Sequence, residues 1–143
     1  MCIRDRAEQA QCLAYERLQH FERLSPRLQG ILQSGVAVTA AQYDQAQAWV
    51  ARCRAQLTEV FKDVDVLLAP SAPGAAPLGL DNTGDPVFCR IWTVLHTPTV
   101  NIPAGLAPNG MPVGLQVVGP VGADGLTLAA AHALHVCLDT SQK

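Results

Sequence analysis

A chain of 143 residues, 49% of them hydrophobic, has the length and apolar content of one ordinary domain. Its 10 Lys+Arg against 12 Asp+Glu leave a formal net charge of -2, which offers no broad attraction for nucleic acid or an anionic membrane. No stretch reaches the ~18 apolar residues needed to cross a bilayer, and the charged Arg4-Asp5-Arg6 is not followed by the apolar core of a signal peptide. The expectation is a cytoplasmic protein with neither nucleic-acid nor membrane partners.

From Ala7 to Leu24, apolar residues recur at Ala7, Ala10, Ala14, Leu18, Phe21 and Leu24, which predicts one amphipathic helix stopped by Ser25-Pro26. Pro26 to Gly35 reads as a short helical connector, entered at a proline and left at a glycine. Thr39 with Gln42 three positions on is a capping-box pattern. The helix it opens would bury Tyr43, Ala46, Val50, Cys53, Leu57 and Val60.

At Val64 the texture changes. Val64 to Ala69 is a short β-branched run ended by Pro70, as expected of a buried strand. Residues 70–86 are too rich in Pro, Gly and Asp for regular structure and form a long loop. Asp85-Pro86 can cap and open a helix that buries Phe88, Ile91 and Leu95 and ends before Thr97-Pro98. Val100 and Ile102, then Val113, Leu115 and Val117, alternate with polar neighbours as two strands. The breakers Pro103, Gly105, Pro108 and Pro112 suggest that a wide connection joins them as an antiparallel pair. A last helix starts near Asp124, buries Leu126, Ala130, Ala133 and Cys137, and frays toward Lys143. Three strands that read as central and buried leave sheet edges in want of partners.

The cysteines Cys2, Cys12, Cys53, Cys89 and Cys137 are odd in number and scattered, so neither a disulfide framework nor a zinc site is indicated. Cys53 and Cys137 fall on apolar helical faces and are expected to be buried. His132 and His135 share one face of the last helix, but no third ligand is spaced to join them, so a solvated face is expected and no metal.

Three segments carry more than periodicity. Asp65-Val-Leu-Leu-Ala-Pro70-Ser-Ala-Pro73, followed by Pro77, resembles the "D-x-L-L-x-P-[ST]-x-P-x-x-A-P" stretch of the amidase signature family. Thr97-Pro98-Thr-Val-Asn-Ile-Pro103-Ala-Gly105 is similar to that family's "P-x-x-x-[IVL]-P-x-G" strand. Met111-Pro-Val-Gly-Leu-Gln116-Val-Val-Gly119 resembles its "[LM]-P-[VI]-G-[LV]-Q-[LIV]-[VIL]-[GA]" strand. Their order and spacing make the signal specific where any one alone would be weak. The similarity runs from Ala10 to the end of the chain, about the last third of a family member.

The resemblance implies an α/β fold: the C-terminal part of the amidase-signature fold, with helices packed on part of a mixed β-sheet. It implies one C-terminal portion over residues 1–143, in which Met1–Arg6 has no family counterpart and reads as a non-native or disordered start. The activity implied is hydrolysis of a carboxamide C–N bond by a Ser-cisSer-Lys triad, with no cofactor and no metal. That triad needs a nucleophilic serine in a Gly/Ser-rich loop and a lysine able to act as base. This sequence has only Lys62 and Lys143, and its serines Ser25, Ser34, Ser71 and Ser141 are isolated, so no catalytic residue carries over.

By the same resemblance the loop after the "P-[ST]-x-P" strand and the helix that follows border the substrate cleft. Ser71, Trp92 and His96 are therefore the candidate substrate-binding residues, while Phe88 shares a face with Ile91 and Leu95 and reads as core. For His96, a role at the helix end competes with substrate contact. The expectation is one wall of an amide hydrolase's cleft, inactive without the catalytic part and serving a small-molecule amide in the full-length protein. A homodimer stays open. The alternative is a self-standing noncatalytic binding or assembly module built on the same fold.

Overall fold

Serine and proline at positions 25 and 26 begin a helix as the physical chemistry of helix ends requires. Ser25 Oγ accepts from the Leu28 backbone N–H at 3.4 Å, and Pro26 occupies the first turn, where its missing N–H is no loss. In the computed structural model, which describes residues 3–140, this helix lies in the first of two units, residues 1–53 and 54–143.

In the first unit, α1 (Ile3–Cys12), α2 (Ala14–Gln19), a 3-10 turn (Phe21–Arg23) and α3 (Pro26–Val36) precede α4 (Ala40–Val60), which runs on into the second unit. The single helix expected from Ala7 to Leu24 is thus broken, at Leu13 and again at His20. Just beyond the second break the Gln29 side-chain amide donates to the carbonyls of Phe21 (2.9 Å) and Leu24 (3.0 Å), and the Phe21 carbonyl also accepts from the Leu24 N–H at 3.0 Å, closing the 3-10 turn. Leu18, expected on the buried face, is 67% exposed. Pro26 to Gly35 is a full helix rather than a connector. It packs on α1 through Leu32, Ala7 and Ala10, all buried, and through Gly35, where a side chain would strike the Arg6 carbonyl and Ala10. Ile3–Arg6 form the first turn of α1; Met1 and Cys2 lie outside the described residues, as do Ser141 and Lys143.

The capping box at the start of α4 is present in both directions. The Thr39 N–H donates to Gln42 Oε1 at 3.0 Å, and the Gln42 N–H donates to Thr39 Oγ1 at 3.3 Å. Of the predicted α4 face, Val50 is buried, Tyr43, Ala46 and Leu57 are half-buried, and Cys53 and Val60 are exposed.

In the second unit, β1 (Leu67–Pro70), α5 (Val87–Leu95), β2 (Thr99–Leu106), β3 (Pro112–Val118) and α6 (Asp124–Thr140) follow α4. The sheet order is β1-β3-β2 and both pairings are antiparallel, as expected for β2 with β3. The predicted wide connection between β2 and β3 is instead a tight turn: Leu106 pairs with Pro112, Ala107 N–H donates to Met111 O at 2.8 Å, and Gly110 takes a φ of 79°. Pro103 lies within β2 at a register shift, an edge-strand position where its lack of an N–H is tolerated.

Alternation sorts the strand residues onto two faces. One face carries Ile102 and Val117, packed on Ala131 of α6, with Val66, Val100, Leu115, Ala130, Leu134 and Leu138 around them. The face of α6 that meets the sheet is therefore Thr127, Ala130, Ala131, Leu134 and Leu138, one step round from the prediction. Leu126 is 43% exposed, and Ala133 and Cys137 are exposed too. The reason is the close approach of Gly119 to Thr127: a Cβ on Gly119 would collide with the fully buried Thr127 side chain, so Gly119 lets α6 seat on that side. The opposite sheet face carries Ala69, Asn101, Gly114 and Gln116 and continues to Ser71.

Candidate functional site

Ser71 follows β1 directly, and every polar group it has is engaged within the second unit. Its N–H donates to the Gly114 carbonyl at 3.1 Å, extending the β1 ladder by one bond. Its hydroxyl donates to Asn101 Oδ1, and its carbonyl accepts from Cys89 Sγ at 3.4 Å. Gly114 makes this meeting sterically permissible, since a Cβ there would reach the Asn101 side chain and stand 2.9 Å from Ser71 Oγ. An amide partner cannot take up a proton at neutral pH, so this geometry positions Ser71 and does not activate it as a nucleophile.

Cys89 lies in the first turn of α5, so its bond to Ser71 ties the two ends of the 70–86 loop together. Pro86 precedes the helix and its carbonyl accepts from the N–H groups of Cys89 (3.0 Å) and Arg90 (3.1 Å); the Asp85 carboxylate expected as a cap plays no such part. Between the anchors, the Gly84 N–H donates to Asn82 Oδ1 at 2.9 Å, and Gly84 packs near Pro77. At the middle of the loop Leu78 and Leu80 are 105% and 100% exposed.

Of the predicted α5 core only Leu95 is fully buried; Phe88 is half-buried and Ile91 is 50% exposed. Trp92 is half-buried, and its indole Nε1 is shielded from solvent without a hydrogen-bond partner. Its carbonyl accepts from the N–H (3.2 Å) and the hydroxyl (3.3 Å) of Thr97. His96 ends the helix in the left-handed conformation, φ 60° and ψ 34°, with an exposed imidazole. Ser71 meets α5 at its beginning, and a helix rises about 1.5 Å per residue, so Ser71 and His96 lie near opposite ends of it. The structure joins Ser71 to Cys89 and Asn101 and does not join it to His96.

A second feature of this unit is a shallow cleft of about 130 Å³ lined by Arg54, Leu57, Thr58, Phe61, Leu95, Pro120 and Val121. None of the predicted site residues lines it. Arg54 Nη2 donates to the Val94 carbonyl at 2.7 Å, satisfying one of the acceptors left open by the last turn of α5. Sequence reasoning missed Arg54, Asn101 and Gly114. Asn101 left one trace, as the polar residue between Val100 and Ile102, but no local pattern shows that it faces Ser71 across a glycine.

The other polar groups stand apart. Lys62 is an exposed partner of Glu59 at 2.6 Å, and His132 and His135 are exposed on α6, the solvated face expected of them. Among the described residues no group of three His, Cys, Asp or Glu could hold a metal ion, and no helix is long and apolar enough to cross a membrane.

The family model described as Amidase matches residues 13–128. The chain is 32% identical over 127 residues to the 2-amino-5-chloromuconic acid deaminase of Comamonas testosteroni, covering 79% of this chain and 28% of that protein. It is 38% identical over 86 residues to a subunit of the glutamyl-tRNA(Gln) amidotransferase of Novosphingobium aromaticivorans, covering 55% of this chain and 17% of that one. A crystal structure of an amidase superposes with a TM-score of 0.84 at 33% identity, over 93% of this chain and 33% of its own. The chain therefore spans at most about a third of the length of these proteins.

Proposed function

We propose that this chain, which belongs to the amidase family, is the C-terminal portion of an amide-bond hydrolase and forms one wall of its substrate cleft, inactive without the catalytic part. The observation that carries the proposal is the coincidence of two facts. The family match is continuous over residues 13–128, yet the sequence contains only two lysines, Lys62 and Lys143, and no Gly/Ser-rich serine loop in which a nucleophile could be generated.

In this reading Ser71 acts through its place at the root of the 70–86 loop, since its N–H, carbonyl and hydroxyl are all committed to Gly114, Cys89 and Asn101. Trp92 offers the exposed part of a half-buried aromatic ring, and His96 offers an exposed imidazole, both suited to a small-molecule amide. The relatives act on different substrates by name, so the acyl group is not carried over.

The test is release of ammonia or amine from a panel of aliphatic and aryl amides. The isolated chain gives only the uncatalysed rate. Hydrolysis by the purified isolated chain, lost on heat denaturation, sinks the reading.

A further inference from the structure

We infer that Asn109 is a deamidation site: the β2–β3 turn directs its side-chain carbonyl toward the Gly110 peptide, whose nitrogen converts the amide to aspartate or isoaspartate through a cyclic imide. That chemistry belongs to the turn itself and does not depend on the hydrolase reading. Two backbone bonds close the turn, from the Ala107 N–H to the Met111 carbonyl and from the Gly110 N–H to the Ala107 carbonyl, both at 2.8 Å. Inside it the Met111 N–H donates to Asn109 Oδ1 at 3.2 Å, an Asx turn that curls the side chain back along its own main chain. Gly110 has no side chain to obstruct the approach. It sits at φ 79° with nothing within 4 Å of where a Cβ would be, and both Asn109 and Gly110 are exposed to water.

The other asparagines, Asn82 and Asn101, do not combine these conditions. Asn82 also makes an Asx turn, accepting from the Gly84 N–H at 2.9 Å, but the peptide nitrogen that follows it belongs to Thr83, whose branched Cβ crowds it. The Asn101 side chain is engaged across the sheet by the Ser71 hydroxyl, and its successor Ile102 is branched and buried.

Hydroxide from the solvent removes the Gly110 amide proton once the bond to Ala107 opens. The nitrogen then bonds to Asn109 Cγ, and the carbonyl electron pair moves onto Oδ1, where the Met111 N–H is already placed to meet the charge. As the carbonyl re-forms, the bond to the side-chain nitrogen breaks; that nitrogen takes a proton from water, restoring the hydroxide, and leaves as ammonia. Water next adds to one of the two imide carbonyls. Cleavage of the bond between the Gly110 nitrogen and Cγ yields aspartate, and cleavage at the main-chain carbonyl yields isoaspartate. Either product adds one negative charge to the turn. Aspartate keeps an oxygen for the Met111 N–H, whereas isoaspartate lengthens the main chain by one carbon and loosens the closure between Ala107 and Met111.

The experiment incubates the full chain in mildly alkaline native buffer, digests it, and follows each asparagine peptide by mass spectrometry for the change from amide to acid, with chromatography separating isoaspartate from aspartate. Asn109 is expected to give both products and to convert roughly tenfold faster than Asn82 or Asn101. M111P, which deletes the donor to Oδ1 and leaves Asn109-Gly110 in place, is expected to slow the conversion severalfold, with circular dichroism reporting whether it keeps the fold. A parallel incubation in urea removes the turn without any substitution. Asn109 left intact in the folded chain overturns the inference, whether or not the urea-unfolded chain converts. Conversion of Asn82 or Asn101 at the same rate overturns it as well, and an unchanged rate in folded M111P overturns the part given to the Met111 N–H.

Discussion

The Ser71 hydroxyl reaches Asn101 across a gap that exists only because residue 114 of the intervening strand is glycine. β1 and β2 are the two edge strands and never pair with each other, so this side-chain bond is a direct link between them over the face of β3. It binds the root of the 70–86 loop to the sheet.

Substituting Gly114→Ala should therefore destabilise the chain by about 1–3 kcal/mol, the usual cost of overpacking a well-filled position. Urea denaturation measures it. The double variant G114A/N101A should recover part of the loss, because removing the Asn101 side chain vacates the space the new methyl needs. Additive losses in the two single variants would show that the contact is not what makes glycine necessary.

His96 sits at φ 60°, where a side chain is disfavoured and glycine is at ease. His96→Gly should raise stability by about 1 kcal/mol, and His96→Val should lower it, both read from thermal melts. If the imidazole contacts substrate, as proposed, His96→Gly will at the same time lower kcat/KM in the reconstituted enzyme, a split that a purely structural residue does not produce.

Thr39→Ala removes one half of a reciprocal cap and is expected to cost about 1 kcal/mol, with Thr39→Ser retaining most of it. The decisive readout is whether Gln42→Ala costs nearly as much as Thr39→Ala and whether the two losses fail to add, since each side chain serves the other's backbone.

Arg54→Ala should lose about 1–2 kcal/mol by freeing the Val94 carbonyl at the end of α5. Arg54→Met keeps the stem that lines the cleft and separates the contribution of packing from that of the hydrogen bond. Hydrogen exchange in the last turn of α5 should quicken in both variants.

Features that depend on neighbours in sequence were legible in it. The capping box of Thr39 and Gln42, the Ser25-Pro26 helix start, the positions of β2 and β3 and the irregular 70–86 stretch all follow from side chains acting on backbone within a few residues, whereas the buried strand expected over Val64–Ala69 is β1 at Leu67–Pro70, with Val64 and Leu68 exposed. The family was legible as well, because the motifs around Pro70, Pro98 and Gly114 combine turn and strand residues in a fixed order, and the match over residues 13–128 bears that out.

Periodicity could not say which of two adjacent faces a helix buries. Alanine-rich α6 offers near-equivalent stripes, and the choice fell to Thr127, Ala130, Ala131, Leu134 and Leu138, which left Cys137 exposed; α4 likewise left Cys53 exposed. Nor could it foresee that the helical run would break at His20, with Gln29 bonding the Phe21 and Leu24 carbonyls beyond the break, or that Pro103 would be accommodated inside an edge strand beside a tight turn. The loop's anchoring belongs to the same class. Asn101 lies 30 residues from Ser71, and only the β1-β3-β2 order brings them together. The sequence by itself determined the local elements and the family, through interactions that close within a few residues. The rotation of α6, the break after α2 and the clamp on the 70–86 loop were decided by tertiary structure, because each depends on a close contact between backbones or side chains that the chain places together only once it is folded.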